Sequence, residues 1–385
     1  MKKPLLILHL FLFANIIVFS EPLYSPNWDF YLDPPEGYDF VGGDGRDKFS
    51  FENAEGAMFD IIIYHSGTGS AYKDVESLAE DIQKKLNNSG NMDIFEYRQK
   101  KAVIIELAFS VFGPMSGRAL CMELSKNTPG NANGGEPPPL LLAMAYGPAD
   151  RNDLMILHFS ALDSIAIDES CKLVPGPITE YSYPGKTPIK APVFGLGIEA
   201  EIFKEDPLAA QALIDREYQI LNRYANTPIW KEVWIRFYRT IYRDSFERLV
   251  NIAFKAERRL NVPALENRDF ADKALQWVQS FKYERDVMGS DFVNLVSAAT
   301  EGRGDCDSRA MLWAIIMKQA NISSAIMVSR NYGHAMGLAD LPGSGARFEL
   351  EGQKLLVAET TSEVSIGLIG ETVSEISEWL GISFE

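Results

Sequence analysis

Cysteine and histidine are scarce in this chain, three of the one and four of the other in 385 residues. They are also never at metal-ligand spacing, so a zinc module or multi-cysteine metal centre is excluded, and neither a metal nor a cofactor is expected. Basic charge is in short supply as well. Lys and Arg number 37 against 53 Asp and Glu, a formal net charge of −16. That excludes the basic face a nucleic-acid binder needs. A phosphate loop is missing, because "GTGS" (Gly67 to Ser70) lacks the Gly-Lys-Ser/Thr ending that grips phosphate and magnesium. Beyond the N-terminus there is no apolar run long enough to span a bilayer and no internal repeat.

What is present starts with a leader. "MKKPLLILHLFLFANIIVFSEP" has two lysines, an apolar run from Pro4 to Phe19, and Val18 and Ser20 at the −3 and −1 positions before Glu21. This is the pattern of a secretory signal over residues 1–20, and the expected location is periplasmic or secreted. No stable membrane insertion is expected beyond that signal. An odd cysteine count in an exported chain leaves at least one thiol unpaired. Cys121 and Cys171 are candidates for a bridge, which would leave Cys306 free.

With 46% hydrophobic and 23% charged residues the rest is globular material, and the expected class is α+β. Residues 27–170 read as a small α/β sheet domain. "AMFDIIIYH" and "KAVIIELAFSVF" are strand-like, and Val75, Leu78, Ala79, Ile82 and Leu86 between them recur at helical spacing. "GRALCMEL", "LLLAMAYG" and "LMILHFSAL" read as further strands, with a long, mobile Gly/Pro-rich loop "SKNTPGNANGGEPPP" between the first two. Residues 171–200 read as a Pro-rich linker. Residues 205–262 read as a helical segment whose second helix starts at Thr227 (N-cap) and Pro228 and runs unbroken to Leu260. One face of that helix is apolar; the other, with Lys231, Arg236, Arg239 and Arg243, reads as a solvated basic face.

The chemistry gathers in residues 263–385. In "EGRGDCDSRAMLWAIIMKQA" two glycines lead into a helix that is apolar nearly all round, and Cys306 stands at its first turn. Unpaired N–H groups and the helix dipole favour an anion there, the thiolate form in which cysteine is a nucleophile. A thiolate wants a base. Outside the leader the histidines are His65, His158 and His334; the first two lie in strand-like runs and read as structural. His334 opens a strand after the turn Asn331 to Gly333. Glu359 closes a neighbouring antiparallel strand, which brings its carboxylate toward the imidazole. Base activates nucleophile and acid orients base. Asp340, at the far end of the His334 strand, is the alternative acid. "RGD" (Arg303 to Asp305) falls inside this motif, so adhesion is not expected.

Four stretches follow one another in order: "ADKALQWVQSFKYERD", "EGRGDCDSRAML", "YGHAM" and "VAETT". On them, residues from about 270 to 361 resemble the transglutaminase-like superfamily, papain-like cysteine enzymes. The resemblance covers roughly a quarter of the chain and implies a buried helix packed on an antiparallel sheet. It implies Cys306 as nucleophile, His334 as general base and acid, and Glu359 as orienting acid, where the family usually has Asp. Tyr283 matches a recurrent aromatic of the family. The backbone N–H of Cys306 is the one oxyanion donor that can be named. Asp305 and Asp307 flank the thiol and should raise its pKa by like charge unless they point away, cap the helix or hold Arg309. The implied function is cysteine-dependent acyl transfer, first of all hydrolysis of peptide, isopeptide or amide bonds. The partner is then a protein or peptide substrate, with cell-wall peptide suggested by the compartment, and no nucleic acid. Cross-linking by the same chemistry and a non-catalytic binding module on the same fold are the alternatives.

Overall fold

The computed structural model describes residues 22–65, 70–111, 113–131, 137–260, 266–285 and 290–384. The expected leader (1–20), the tip of the Gly/Pro-rich loop (132–136) and most of "GTGS" lie outside them. The fold is α+β.

The N-terminal half is built on one antiparallel sheet. A short hairpin, β1 (Leu23–Ser25) with β2 (Phe30–Leu32), precedes β3 (Tyr38–Gly43), β4 (Lys48–Asn53), β5 (Met58–Tyr64), β6 (Met92–Tyr97), β7 (Lys100–Ser110), β8 (Pro114–Glu123) and β9 (Leu140–Pro148). Strands β3 to β9 form the sheet in the order β3-β4-β5-β9-β8-β7-β6. Its central strands are apolar on both faces because both are covered. Helix α1 (Val75–Lys85) lays Val75, Leu78, Ala79 and Ile82 on Val103, Ile105, Cys121 and Leu142. Helix α2 (Met155–Asp163) covers the opposite face, with Ala161 and Leu162 against Phe59, Ile61, Ile104 and Leu120.

Two expectations fail here. "LMILHFSAL" is not a strand but helix α2. It is packed between this sheet and helix α4 (Asp206–Tyr224), so it is apolar nearly all round, and a short unbroken apolar run carries no period to separate the two states. Cys121 and Cys171 do not bridge. They are free, buried thiols in the cores on opposite faces of the sheet.

The Pro-rich stretch is folded rather than a bare linker. It holds α3 (Pro177–Ser182), which starts on its own proline, and a hairpin of β10 (Pro188–Val193) with β11 (Ile198–Phe203). The long helix also differs from expectation. It is two helices, α5 (Trp230–Arg248) and α6 (Val250–Leu260), which meet at buried Leu249. Ile229 takes the N-cap position, while the Thr227 hydroxyl donates to Tyr224 O at the end of α4.

Lys231 is exposed, but the rest of the basic face of α5 is not solvated. Arg236 is 2% exposed, donating to Asp33 O, Glu217 and Ser160. Arg239 pairs with Asp33, and Arg243 donates to the carbonyls of Asp163, Ser164 and Ile165. These arginines form the seam between the two halves. Period counting sees a charged stripe, but whether its partner is water or buried carboxylate is a tertiary fact.

In the C-terminal half α7 (Asn267–Gln279) leads to β12 (Lys282–Tyr283), α8 (Leu295–Glu301), β13 (Arg303–Gly304) and α9 (Cys306–Gln319). Strands β14 (Ser324–Ser329), β15 (His334–Ala339), β16 (Arg347–Leu350), β17 (Gln353–Ala358) and β18 (Leu380–Ile382) pair antiparallel in the order β16-β17-β15-β14-β18. Helix α9 is the core of this half: every residue from Ser308 to Met317 is buried. It lies on β14 and β15, with α6, α7 and α8 around it. Gly337 on β15 makes that packing possible, since a Cβ there would stand 2.5 Å from the Trp313 ring. Gly302 ends α8 at φ +67°, a turn only glycine takes freely, and a Cβ there would collide with Phe194 at 2.2 Å.

Candidate active site

The cysteine, the histidine and the acid come from three elements packed on one another. Asp305 takes extended backbone angles as the N-cap of α9, and its carboxylate accepts from Ser308 N (2.8 Å) and Ser308 Oγ (2.6 Å). That fixes the first turn and places Cys306 at its head. The sulfur lies 4.0 Å from Gly333 O and beside the Ala335 N–H, so it rests against the peptides that flank His334. Cys306 is 3% exposed.

His334 opens β15, and Ala358 at the end of β17 pairs with Gly337 in the next strand. Glu359 therefore leaves β17 beside the start of β15. Its Oε2 lies 2.8 Å from His334 Nε2. Its Oε1 accepts from Thr361 N (2.7 Å) and Thr361 Oγ1 (2.6 Å). Burial works against the charge on Glu359, but the His334 and Thr361 donors outweigh it and hold this carboxyl below its ordinary range. With Nε2 engaged, Nδ1 is the ring nitrogen left for the thiol. The imidazole packs edge-on to Trp379 at 6.1 Å between centroids and keeps 17% of its side chain exposed. Asp340 is at the other end of β15, where its N–H bonds Ser323 O, so the alternative acid is not at the imidazole.

The aspartates beside the thiol do not both point away. Asp305 caps the helix, as one reading had it. Asp307 Oδ2 accepts the thiol hydrogen at 3.4 Å, and its Oδ1 accepts from the Tyr238 hydroxyl. Burial above all, then the charges of Asp307 and Asp305, push the Cys306 thiol well above the ordinary cysteine value. Burial and the Asp307 charge push Asp305 up as well.

Arg309 is held by carbonyls and not by either aspartate. It donates to Gly304 O, Phe281 O and Thr360 O, and its guanidinium lies 5.5 Å from the centroid of the Tyr283 ring. It thus ties together the three chain segments that carry Tyr283, Cys306 and Glu359. Gln279 donates to Glu359 O from α7. Sequence reasoning named Arg309 only as a possible partner of the aspartates, and missed Tyr238, Thr361, Gln279 and Trp379. Thr361 stood in the acid-threonine motif; the others carry no local signal, since each is one aromatic or polar residue in an ordinary helix or loop.

His65 and His158 stay out of this site. His65 bonds Asp47 (2.8 Å) beside Trp28, and His158 is buried on α2 near the Tyr146 peptide. A cleft of about 830 Å³ lies elsewhere, between α3, the β10–β11 hairpin and the α5–α6 junction, and touches none of the three residues. Among the described residues no group of His, Cys, Asp and Glu is gathered as metal ligands are, and no helix is long and apolar enough to cross a membrane.

No protein-family model matches the chain, and no curated protein does. Among solved structures it is similar to the cyanobacterial PsbP protein (CyanoP) of Synechocystis sp. PCC 6803, at 12% identity over 40% of this chain and 96% of that one, with a TM-score of 0.30. It is also similar to a protein of Bacteroides thetaiotaomicron VPI-5482, at 9% identity over 87% of this chain and 88% of that one, with a TM-score of 0.26. Likenesses this distant leave the site to be argued from its own residues.

Proposed function

We propose that the chain is an exported, cysteine-dependent acyl-transfer enzyme whose nucleophile is Cys306, with a transglutaminase-like domain over residues of about 270 to 361. The observation that supports it best is the fixed imidazole: His334 Nε2 sits 2.8 Å from Glu359, whose other oxygen is occupied by Thr361. A histidine held on one nitrogen by a carboxylate, at the start of a strand that a thiol at a helix start touches through Gly333 O, is equipped to take the thiol proton and return it to a leaving amine. Cys306 would attack a carbonyl carbon, and the leaving amine would depart with the proton from His334. The thioester would then be resolved by water or by a second amine. The Cys306 N–H, in the first turn of α9, faces the developing oxyanion in this scheme.

The substrate class is a protein or peptide, and hydrolysis of a peptide, isopeptide or side-chain amide is the first reading. Cell-wall peptide fits the exported location. Cross-linking by an acceptor amine is the second, and a non-catalytic binding module the third. The test is incubation of the full chain with a panel of peptide amides, with and without a small primary amine, reading acid and transamidated products by mass. Product that depends on both Cys306 and His334 is expected. Turnover undiminished in Cys306→Ser would sink the reading, and a predominance of transamidated product would favour cross-linking.

A further inference from the structure

The Cys306 thiol lies between the start of β15 and a carboxylate. On one side are the Gly333 carbonyl, at 4.0 Å, and the Ala335 peptide, which flank His334 in the chain. On the other is Asp307, whose Oδ2 receives the thiol hydrogen bond at 3.4 Å. This aspartate is not a loose surface group. Its second oxygen takes the hydroxyl of Tyr238, which is buried on α5 and anchored by Phe237 and Trp234 around its ring. A thiol makes only one donor bond, so a hydrogen directed at Asp307 is not directed at the imidazole. The carboxylate also raises the electrostatic cost of a thiolate beside it.

We propose that Asp307, held by Tyr238, is a positioning residue that keeps the Cys306 proton on sulfur and turned from His334 in the free protein, so that the nucleophile forms only when this hydrogen bond is released. On release the proton moves from Sγ to Nδ1 of His334. A thiolate and an imidazolium paired with Glu359 remain, and no other reactant is consumed. Among the described residues, the charged and titratable groups that act on the sulfur are Asp305 and Asp307 on its own helix, Arg309 one turn on, Tyr238 from α5, and Tyr283 and Arg285 from the segment after α7; His334 follows Gly333, whose carbonyl lies 4.0 Å from the sulfur. Asp307 is the one that bonds the thiol with its side chain. The proposal rests on the cysteine–histidine reading and adds to it a resting state in which the pair is disengaged.

The experiment is the second-order rate of iodoacetamide alkylation at Cys306 against pH, located by peptide mapping, on the full chain. It is run on the wild type, Asp307→Asn, His334→Ala and the double variant, with circular dichroism as a check of folding. Removing one adjacent negative charge and one acceptor should move the inflection down by about one pH unit and raise the rate at about pH 7.5 roughly tenfold. That gain should vanish in the double variant. Should Asp307→Asn not fold, Asp307→Ser carries the same expectation, and a shifted pH inflection is a result that a merely structural role would not give. An inflection and rate for Asp307→Asn at or below wild type, with His334→Ala still slower than wild type, overturns the role of Asp307 alone. Rates indifferent to His334 in both backgrounds overturn the cysteine–histidine pair and the proposal with it.

Discussion

Cys121 and His158 lie in the N-terminal layers, and Cys306 and His334 lie in the C-terminal ones. Each thiol is at most 3% exposed and each stands at the junction of a sheet and a helix. Their surroundings differ. Burial alone pushes the Cys121 thiol up, to about 12. Cys306 is pushed up too, but among two aspartates, a strand N–H and the Gly333 carbonyl. His158 has no charged partner among the described residues, only the Tyr146 peptide nearby, whereas His334 has a carboxylate at 2.8 Å that is itself held by Thr361. Residue type is shared, and burial too for the thiols; what separates a packed residue from a candidate catalytic one is the set of polar partners that only the fold assembles.

Breaking that set should give the largest effect. His334→Ala should lower any turnover at least a thousandfold, on the order of what general acid–base catalysis supplies, while Cys121→Ala and Cys171→Ala should leave turnover unchanged. Initial rates on one substrate decide it, and a loss of activity in either of the latter two would erase the contrast. The seam comes next. Arg236→Met leaves Glu217 with Arg216 alone and takes from buried Glu36 the cation it faces, and should cost about 3 kcal/mol of stability. Denaturant unfolding would show this as a lowered midpoint, and an unchanged midpoint would mean the seam is not a structural element.

Glu359→Gln keeps the shape but not the charge that steadies His334. A fall of about a hundredfold in turnover with unchanged stability is expected, smaller than for His334 itself because the imidazole stays in place. The smallest effect sharpens the N-terminal side. Burial, then the charge of Arg118, lowers the His158 pKa from 6.5 to about 4. Between those values the unfolded chain binds a proton that the folded one refuses. The contribution of His158 is therefore fully present above about 6.5 and is lost as pH falls toward 4, by at most about 3 kcal/mol. His158→Gln should flatten that part of the stability–pH curve relative to wild type; parallel curves would refute the buried neutral histidine.

The site was legible in the sequence where its members are adjacent to a local signal. Cys306 follows Gly304 at the head of an apolar helix, His334 follows a turn, and Glu359 ends a strand before two threonines. What was not legible depended on neighbours far along the chain. Tyr238 reads as one aromatic in a stripe, and only the docking of α5 on α9 brings it to Asp307. Arg236 reads as surface charge until Glu217 and Ser160 close over it. The Leu154 to Leu162 run was misassigned because burial on all sides removes the periodicity that separates helix from strand. A bridge between Cys121 and Cys171 was a matter of counting, and the sheet between them settles it.

The central claim is that Cys306 forms a covalent acyl intermediate with the help of His334. It is tested most directly by trapping. The full chain is mixed with an activated ester such as p-nitrophenyl acetate, quenched in acid, digested and weighed. The account predicts an acetyl group on the Cys306 peptide that appears on the timescale of the p-nitrophenol burst, forms far more slowly in His334→Ala and is absent from Cys121 and Cys171. Acetyl groups absent from Cys306, or arriving there equally fast without His334, would contradict it.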